Sequence, residues 1–114
     1  MNVLFVDDNP ASADALAALV VSMGHQASVA YDSQAAVELA HTTRFDLILL
    51  DLQLGHEDGR DVCASMRREG SSRNSQILAM TGHVGLEQGV SLGDFNGYVL
   101  KPLQFDRLEE LLTA

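Results

Sequence analysis

The sequence predicts an α/β fold, a doubly wound parallel sheet of five strands with helices on both faces. Three observations carry that expectation. First, residues 45–51 (FDLILLD) form a continuous apolar run that reads as a strand buried on both faces, the usual environment of a parallel strand. Second, short apolar runs alternate with segments of helical period along the chain, giving five β-α units with right-handed crossovers expected. Third, the runs end in polar residues, Asp7, Asp51 and Thr81, at the strand ends where open α/β sheets place their ligands.

Residues 3–6 (VLFV) are the first run and end against Asp7 and Asp8. Asn9 suits a helix N-cap and Pro10 a first helical position. Leu16, Leu19, Val20 and Met23 recur at helical spacing, and Gly24 supplies a stop. Residues 27–30 are a weaker strand. Asp32 or Ser33 can cap a second helix reaching residue 41, with Ala36, Leu39 and Ala40 on its apolar side. After the 45–51 strand, His56-Glu57-Asp58-Gly59 reads as a polar loop. Val62, Cys63 and Met66 mark a short amphipathic helix, and Arg67 and Arg68 suit its C-terminal end. Residues 70–75 are rich in turn formers, and residues 76–81 (QILAMT) are a further buried strand.

Gly85, Gly89, Gly93 and Gly97 then recur every four residues. Each glycine inside a helix costs about 1 kcal/mol relative to alanine, so the fourth helix is expected to be short or mobile. Residues 98–100 are the last strand, followed by Lys101-Pro102. Leu103 or Gln104 opens a final helix with Phe105, Leu108, Leu111 and Leu112 on one face.

Composition narrows the function classes. A chain of 114 residues is expected to form one domain, residues 1–114, and 46% hydrophobic residues supply a core. Seven basic against 16 acidic residues give a formal charge of −9, which argues against a direct grip on nucleic acid and permits a cation site built from carboxylates. The single cysteine, Cys63, excludes an internal disulfide and reads as a small core hydrophobe. No apolar run approaches the roughly 20 residues of a membrane span. The sequence turns acidic at Asp7, unlike a signal peptide, so no membrane insertion and a cytoplasmic location are expected. The four histidines, His25, His41, His56 and His83, show no metal-ligand spacing, although His56 and His83 could line a pocket rim.

In a parallel sheet the strand ends share one edge, so Asp7, Asp8, Asp51, Thr81 and Lys101 should converge. Two carboxylates at roughly 4 Å repel by about 4 kcal/mol at an effective dielectric near 20. Lys101 offsets one charge, and a hard divalent cation would offset the others; Mg²⁺ characteristically takes one or two carboxylates with waters and a phosphate oxygen. Such a pocket suits a phosphoryl group, and a carboxylate is the economical nucleophile. Each residue taken alone has a plainer reading: Asp7-Asp8 as a solvated loop, Thr81 as a turn cap, Tyr98 as a half-buried sheet aromatic. Their order along the chain is the specific signal.

That order resembles the response regulator receiver domain of two-component signal transduction, over essentially the whole chain. The resemblance implies a flavodoxin-like sheet of strand order 2-1-3-4-5. It implies that Asp51 is the phosphoacceptor, with Mg²⁺ held by Asp7, Asp8, Asp51 and the backbone carbonyl of Gln53. Lys101 would pair with the phosphoryl oxygens, while Thr81 and Tyr98 would form the switch. Gln53 and His83 fall at positions that influence dephosphorylation, and Gly82 keeps the phosphoryl group accessible. The implied partners are a sensor histidine kinase or a histidine phosphotransfer protein, an output partner the sequence does not name, and a second copy if the last helix offers a dimer face. The domain would act as a stand-alone receiver, a phosphorelay shuttle or a module of a hybrid histidine kinase, catalysing only its own phosphorylation and dephosphorylation.

Departures from the family pattern are Gly55, where a proline is frequent and a looser loop is therefore expected, the short glycine-rich interval before Lys101, and a last helix without an acidic cap. The rival readings are weaker. A Mg²⁺-dependent phosphatase with an Asp nucleophile generally needs an acid where Gln53 stands, and a flavin-binding protein of related fold would not carry Asp7-Asp8 in its first loop.

Overall fold

The computed structural model describes residues 1–82 and 93–113. His83, Gly85 and Gly89, and with them most of the expected fourth helix, lie outside the described residues. In chain order the elements are β1 (Asn2–Val6), α1 (Pro10–Ser22), β2 (Gln26–Ala30), α2 (Ser33–Thr42), β3 (Leu47–Asp51), β4 (Gln53–Leu54), β5 (Glu57–Asp58), α3 (Gly59–Arg68), β6 (Gln76–Thr81), β7 (Gly97–Leu100) and α4 (Phe105–Thr113). β2-β1-β3-β6-β7 form one sheet, and each neighbouring pair in it is parallel. Counting only these strands, the order is 2-1-3-4-5, as expected.

The helices begin where short polar side chains can satisfy their first amides. Asn9 accepts from the Ser12 amide ahead of α1, with Pro10 at the first position. Asp32, rather than Ser33, caps α2 by accepting from the Ala35 amide at 2.8 Å. Asp58 caps α3 by accepting from the Arg60 amide at 2.9 Å. Chain reversal after α1 uses Gly24 at a φ of +89°, open to glycine at little cost.

Side-chain alternation along the strands sorts the core onto two faces. Leu4, Val6, Ile48, Leu50, Ile77 and Ala79 pack on one face with Ala36 and Ala40 of α2 and Val62, Cys63 and Met66 of α3. Val3, Phe5, Leu47, Leu49, Leu78, Met80 and Val99 pack on the other with Val20 of α1 and Leu108 and Leu112 of α4. Phe105, expected on the apolar face of the last helix, is instead exposed, because it sits at the first position of α4 before the helix turns onto the sheet.

Two further expectations are revised. The strand read as residues 45–51 begins at Leu47: Phe45 is buried ahead of it, and its backbone is held by the Ser72 and Ser75 hydroxyls instead of a ladder. The stretch after Asp51 is not a loose polar loop. β4 and β5 pair antiparallel, Gln53 opposite Asp58 and Leu54 opposite Glu57, around a two-residue turn of Gly55 and His56. Gly55 has a φ of +62° and His56 a negative φ, the combination of a type II′ hairpin turn.

Candidate functional site

The C-terminal edge of the sheet is held in place by backbone hydrogen bonds that outrun the strands. The Asp7 amide donates to the Ala30 carbonyl at 3.1 Å, the Leu52 amide to Met80 at 2.9 Å, and the Lys101 amide to Thr81 at 2.7 Å. Asp7, Asp51 and Lys101 therefore occupy ladder positions. By strand alternation all three continue the face that carries Val3, Phe5, Leu49 and Val99. Parity alone brings one ammonium against two carboxylates. Thr81 and Tyr98 continue the opposite face, where Tyr98 packs beside the α2–α3 core.

The geometry follows. Lys101 Nζ lies 2.7 Å from Asp51 Oδ2 and 3.3 Å from Asp7 Oδ2. Asp7, Asp51 and Thr81 are buried, with 2%, 7% and 3% of their surfaces exposed, while Asp8 is exposed. The remaining oxygens of the two buried carboxylates accept backbone amides, Asn9 to Asp7 Oδ1 at 3.0 Å and Gln53 to Asp51 Oδ1 at 3.2 Å. One carboxylate oxygen from each of Asp7, Asp8 and Asp51 lies within 4.8 Å of the others, a set of hard oxygen donors that fits a small divalent cation.

Gln53 is positioned by the hairpin. The closing pair of the two-residue turn, Leu54 and Glu57, faces inward, and the Gly59 amide donates to the Leu52 carbonyl at 2.7 Å. Hydrogen-bonded pairs alternate in an antiparallel ladder, so the intervening Gln53–Asp58 pair turns its backbone groups outward. The N–H and C=O of an extended residue share an edge, and the Gln53 N–H reaches Asp51. Its carbonyl therefore faces the same edge.

Electrostatics are divided within the site. Burial pushes the Asp51 carboxyl above the ordinary aspartate value, only partly opposed by the Lys101 ammonium and the Gln53 amide. Burial works against the charge on Lys101, yet Asp51 and Asp7 outweigh it and hold the ammonium above the usual lysine value. The two directions are compatible: the ammonium faces two carboxylates, whereas Asp51 has one cation and a neighbouring acid.

A cleft of about 710 Å³ opens over Asp51 and is lined also by Asp8, Gln53, Thr81, Gly82 and Lys101. His56 stands in its wall, as expected of a rim residue. The wall also contains Glu57, Asp58 and Arg60, which the sequence reading did not place at the site. The hairpin carries the first two there, and Asp58 then holds Arg60 by a forked ion pair, Nε to Oδ1 at 3.1 Å and Nη2 to Oδ2 at 2.8 Å. The one usable sequence signal was the glycine at position 55, favourable at the first central position of a II′ turn. Gly59 is needed for the approach of α3: a Cβ there would lie 2.9 Å from the Leu52 Cα and would overlap the Asp51 carbonyl.

A doubly wound parallel sheet with an ammonium and three carboxylates at its C-terminal edge places the chain among α/β domains with an acidic site at the strand ends. Comparison with known proteins makes the assignment finer. Residues 3–113 match the response regulator receiver domain family, and the chain belongs to it. It is 32% identical over 114 residues to the signal transduction histidine-protein kinase BarA of Shigella flexneri, an alignment that takes in 98% of this chain and 12% of that protein. The chain thus spans about an eighth of that relative's length.

Among solved structures, the receiver domain of a Pseudomonas aeruginosa sensor histidine kinase superposes with a TM-score of 0.85 at 28% identity, covering 98% of this chain and 93% of that one; it holds a magnesium ion in its active-site cleft. A Burkholderia pseudomallei response regulator carrying a phosphorylated aspartic acid, a calcium ion and citrate superposes with a TM-score of 0.83 at 28% identity, over 99% of this chain and 65% of that one. The chain is accordingly a receiver domain of two-component systems, a signalling module. Among the described residues, no helix is long and apolar enough to cross a membrane.

Proposed function

We propose that Asp51 accepts a phosphoryl group from the phosphohistidine of a sensor histidine kinase or a histidine phosphotransfer protein, in a Mg²⁺-dependent reaction. The observation that carries this reading is the placement of the Asp51 carboxylate, buried at the sheet edge 2.7 Å from Lys101 and grouped with two further acids. In the transfer, a carboxylate oxygen of Asp51 forms a bond to phosphorus as the phosphorus–nitrogen bond of the donor breaks, and the imidazole leaves. Positioning and charge neutralisation supply most of the catalysis of such a step.

Lys101 keeps Asp51 oriented and is placed to meet the phosphoryl oxygens. Asp7, Asp8, Asp51 and the Gln53 carbonyl would hold the Mg²⁺. When bound, the ion supplies the positive charge that offsets the acids and the incoming phosphoryl oxygens. Thr81, at the end of β6 in the same cleft, is assigned the hydroxyl that reports phosphorylation, and Tyr98 on the neighbouring strand the aromatic switch. Residues 1–114 act as one receiver unit, in the cytoplasm, either alone or as a module of a larger kinase or regulator.

The test is incubation with Mg²⁺ and a small acyl phosphate, read by intact mass. The expected result is a gain of one phosphoryl group, lost when the metal is removed by a chelator beforehand. A wild-type chain that gains no mass with Mg²⁺ present, or gains it equally after chelation, contradicts the proposal.

A further inference from the structure

We propose that the Arg60–Asp58 pair is an electrostatic gate at the mouth of the cleft, in which Arg60 offsets Asp58 and thereby sets how readily anionic phosphodonors reach Asp51; this rests on the phosphoacceptor reading of Asp51. Among the described residues that line the cleft, the acids are Asp8, Asp51, Glu57 and Asp58, and the cations are Lys101 and Arg60. Lys101 is committed at the floor, where it bridges Asp7 and Asp51. Arg60 stands at the rim, with 41% of its side chain exposed against 39% for Asp58. The whole chain carries a formal charge of −9, so a phosphodonor approaches against the protein's own field.

The pair is built to hold this position. Asp58 accepts the Arg60 backbone amide as the cap of α3 and its guanidinium by the fork, so one carboxylate fixes both ends of the same residue. A forked arginine–carboxylate contact is directional, and the cation has a defined place at the rim. Asp58 itself is set by its pairing with Gln53 across the hairpin. Removing Arg60 leaves Asp58 uncompensated at the mouth. One unit of charge about 10 Å from a doubly charged donor in water changes its local concentration roughly fourfold at low salt, and salt screens the effect over about one Debye length.

The experiment follows the initial rate of phosphorylation of the full chain by intact mass, with Mg²⁺ at low ionic strength. Two donors are used, doubly charged acetyl phosphate and singly charged phosphoramidate. Arg60→Gln should slow acetyl phosphate roughly fourfold and phosphoramidate less, and both losses should shrink in high salt. Asp58→Asn, in which asparagine keeps the helix cap, should speed the reaction. The double variant should return close to the wild-type rate, and Arg60→Lys should retain most of it.

Equal rates for wild type and Arg60→Gln overturn the gate. So does a loss that is the same for both donors, insensitive to salt, or unrelieved by Asp58→Asn, since each marks a purely structural role. A wild type that acquires no phosphoryl group from either donor defeats the phosphoacceptor reading itself, and the gate with it.

Discussion

Asp51 is subject to two opposed influences: burial favours its neutral form, and Lys101 favours its charge. Burial prevails, and the carboxyl titrates above the ordinary aspartate range. A carboxyl whose pKa is higher folded than unfolded stabilises the fold below the unfolded value. That contribution is lost as pH rises through the folded value, so above both the charged group is a net cost. In metal-free buffer Asp51→Asn should therefore unfold at a higher temperature than wild type at neutral pH. The gap should close as pH falls through the raised Asp51 pKa toward the ordinary aspartate value. A thermal melt series checks this, and an asparagine variant less stable at neutral pH would show that the Lys101 contact outweighs burial.

The same scale shows what single residues disclose. Asp7, Asp51, Thr81 and Lys101 were legible because strand ends in a parallel sheet must meet. Arg60 was not, because its place depends on a hairpin that brings Asp58 to the cleft. Cys63 was legible as core: burial pushes its thiol up to about 11, which leaves it inert.

At the scale of elements, the β4–β5 hairpin is where sequence reasoning fell short. Its strands have two residues each, too few to show alternation, and their polar letters resemble a loop. Gly55 was taken as a loosening because the family often has proline there. In the folded chain it is a conformational requirement, since a φ of +62° is closed to proline and strained for alanine. The hairpin is anchored on its outer side by the Ser33 hydroxyl, which donates to Glu57 at 2.7 Å.

Gly55→Ala should cost about 1–3 kcal/mol of stability, the usual penalty for holding an L residue in a sparsely populated positive-φ conformation. Gly55→Pro should cost about 3 kcal/mol or more, because the ring locks φ on the wrong side. Urea unfolding measures both, and a proline variant as stable as wild type would mean that the hairpin is not the native arrangement.

α3 illustrates a second limit. Arg67 stands with Arg68 in the last turn of the helix, as expected. What the sequence did not disclose is that it also reaches outward, donating to the carbonyls of Arg73 and Asp94, both at 3.1 Å, and to the Asn96 side chain at 2.6 Å. Asn96 Oδ1 also accepts the Ile77 amide at 2.8 Å. The helix is thereby tied to the starts of β6 and β7, a long-range contact that no local period encodes.

For the whole molecule, the organising fact is that alternation through β1, β3 and β7 delivers Asp7, Asp51 and Lys101 to one face at one edge. The strands and the convergence were readable because hydrophobic period and chain alternation set them, whereas the strand order followed only from the family resemblance. Packing around Thr81 and Tyr98 rests on long-range contacts, which sequence period does not encode. To act as a switch, the two states must differ in their affinity for the phosphoryl group. A shift from 1:99 to 99:1 needs about 5.5 kcal/mol of difference.

All of this depends on where the phosphoryl group sits. The decisive measurement is to load the chain from an acyl phosphate with Mg²⁺, trap the acyl phosphate by borohydride reduction, and locate the modified residue by peptide mass spectrometry. The prediction is a single modification at Asp51, absent in Asp51→Asn. A modification at Asp7, Asp8 or a histidine, or one that persists in Asp51→Asn, would contradict the account.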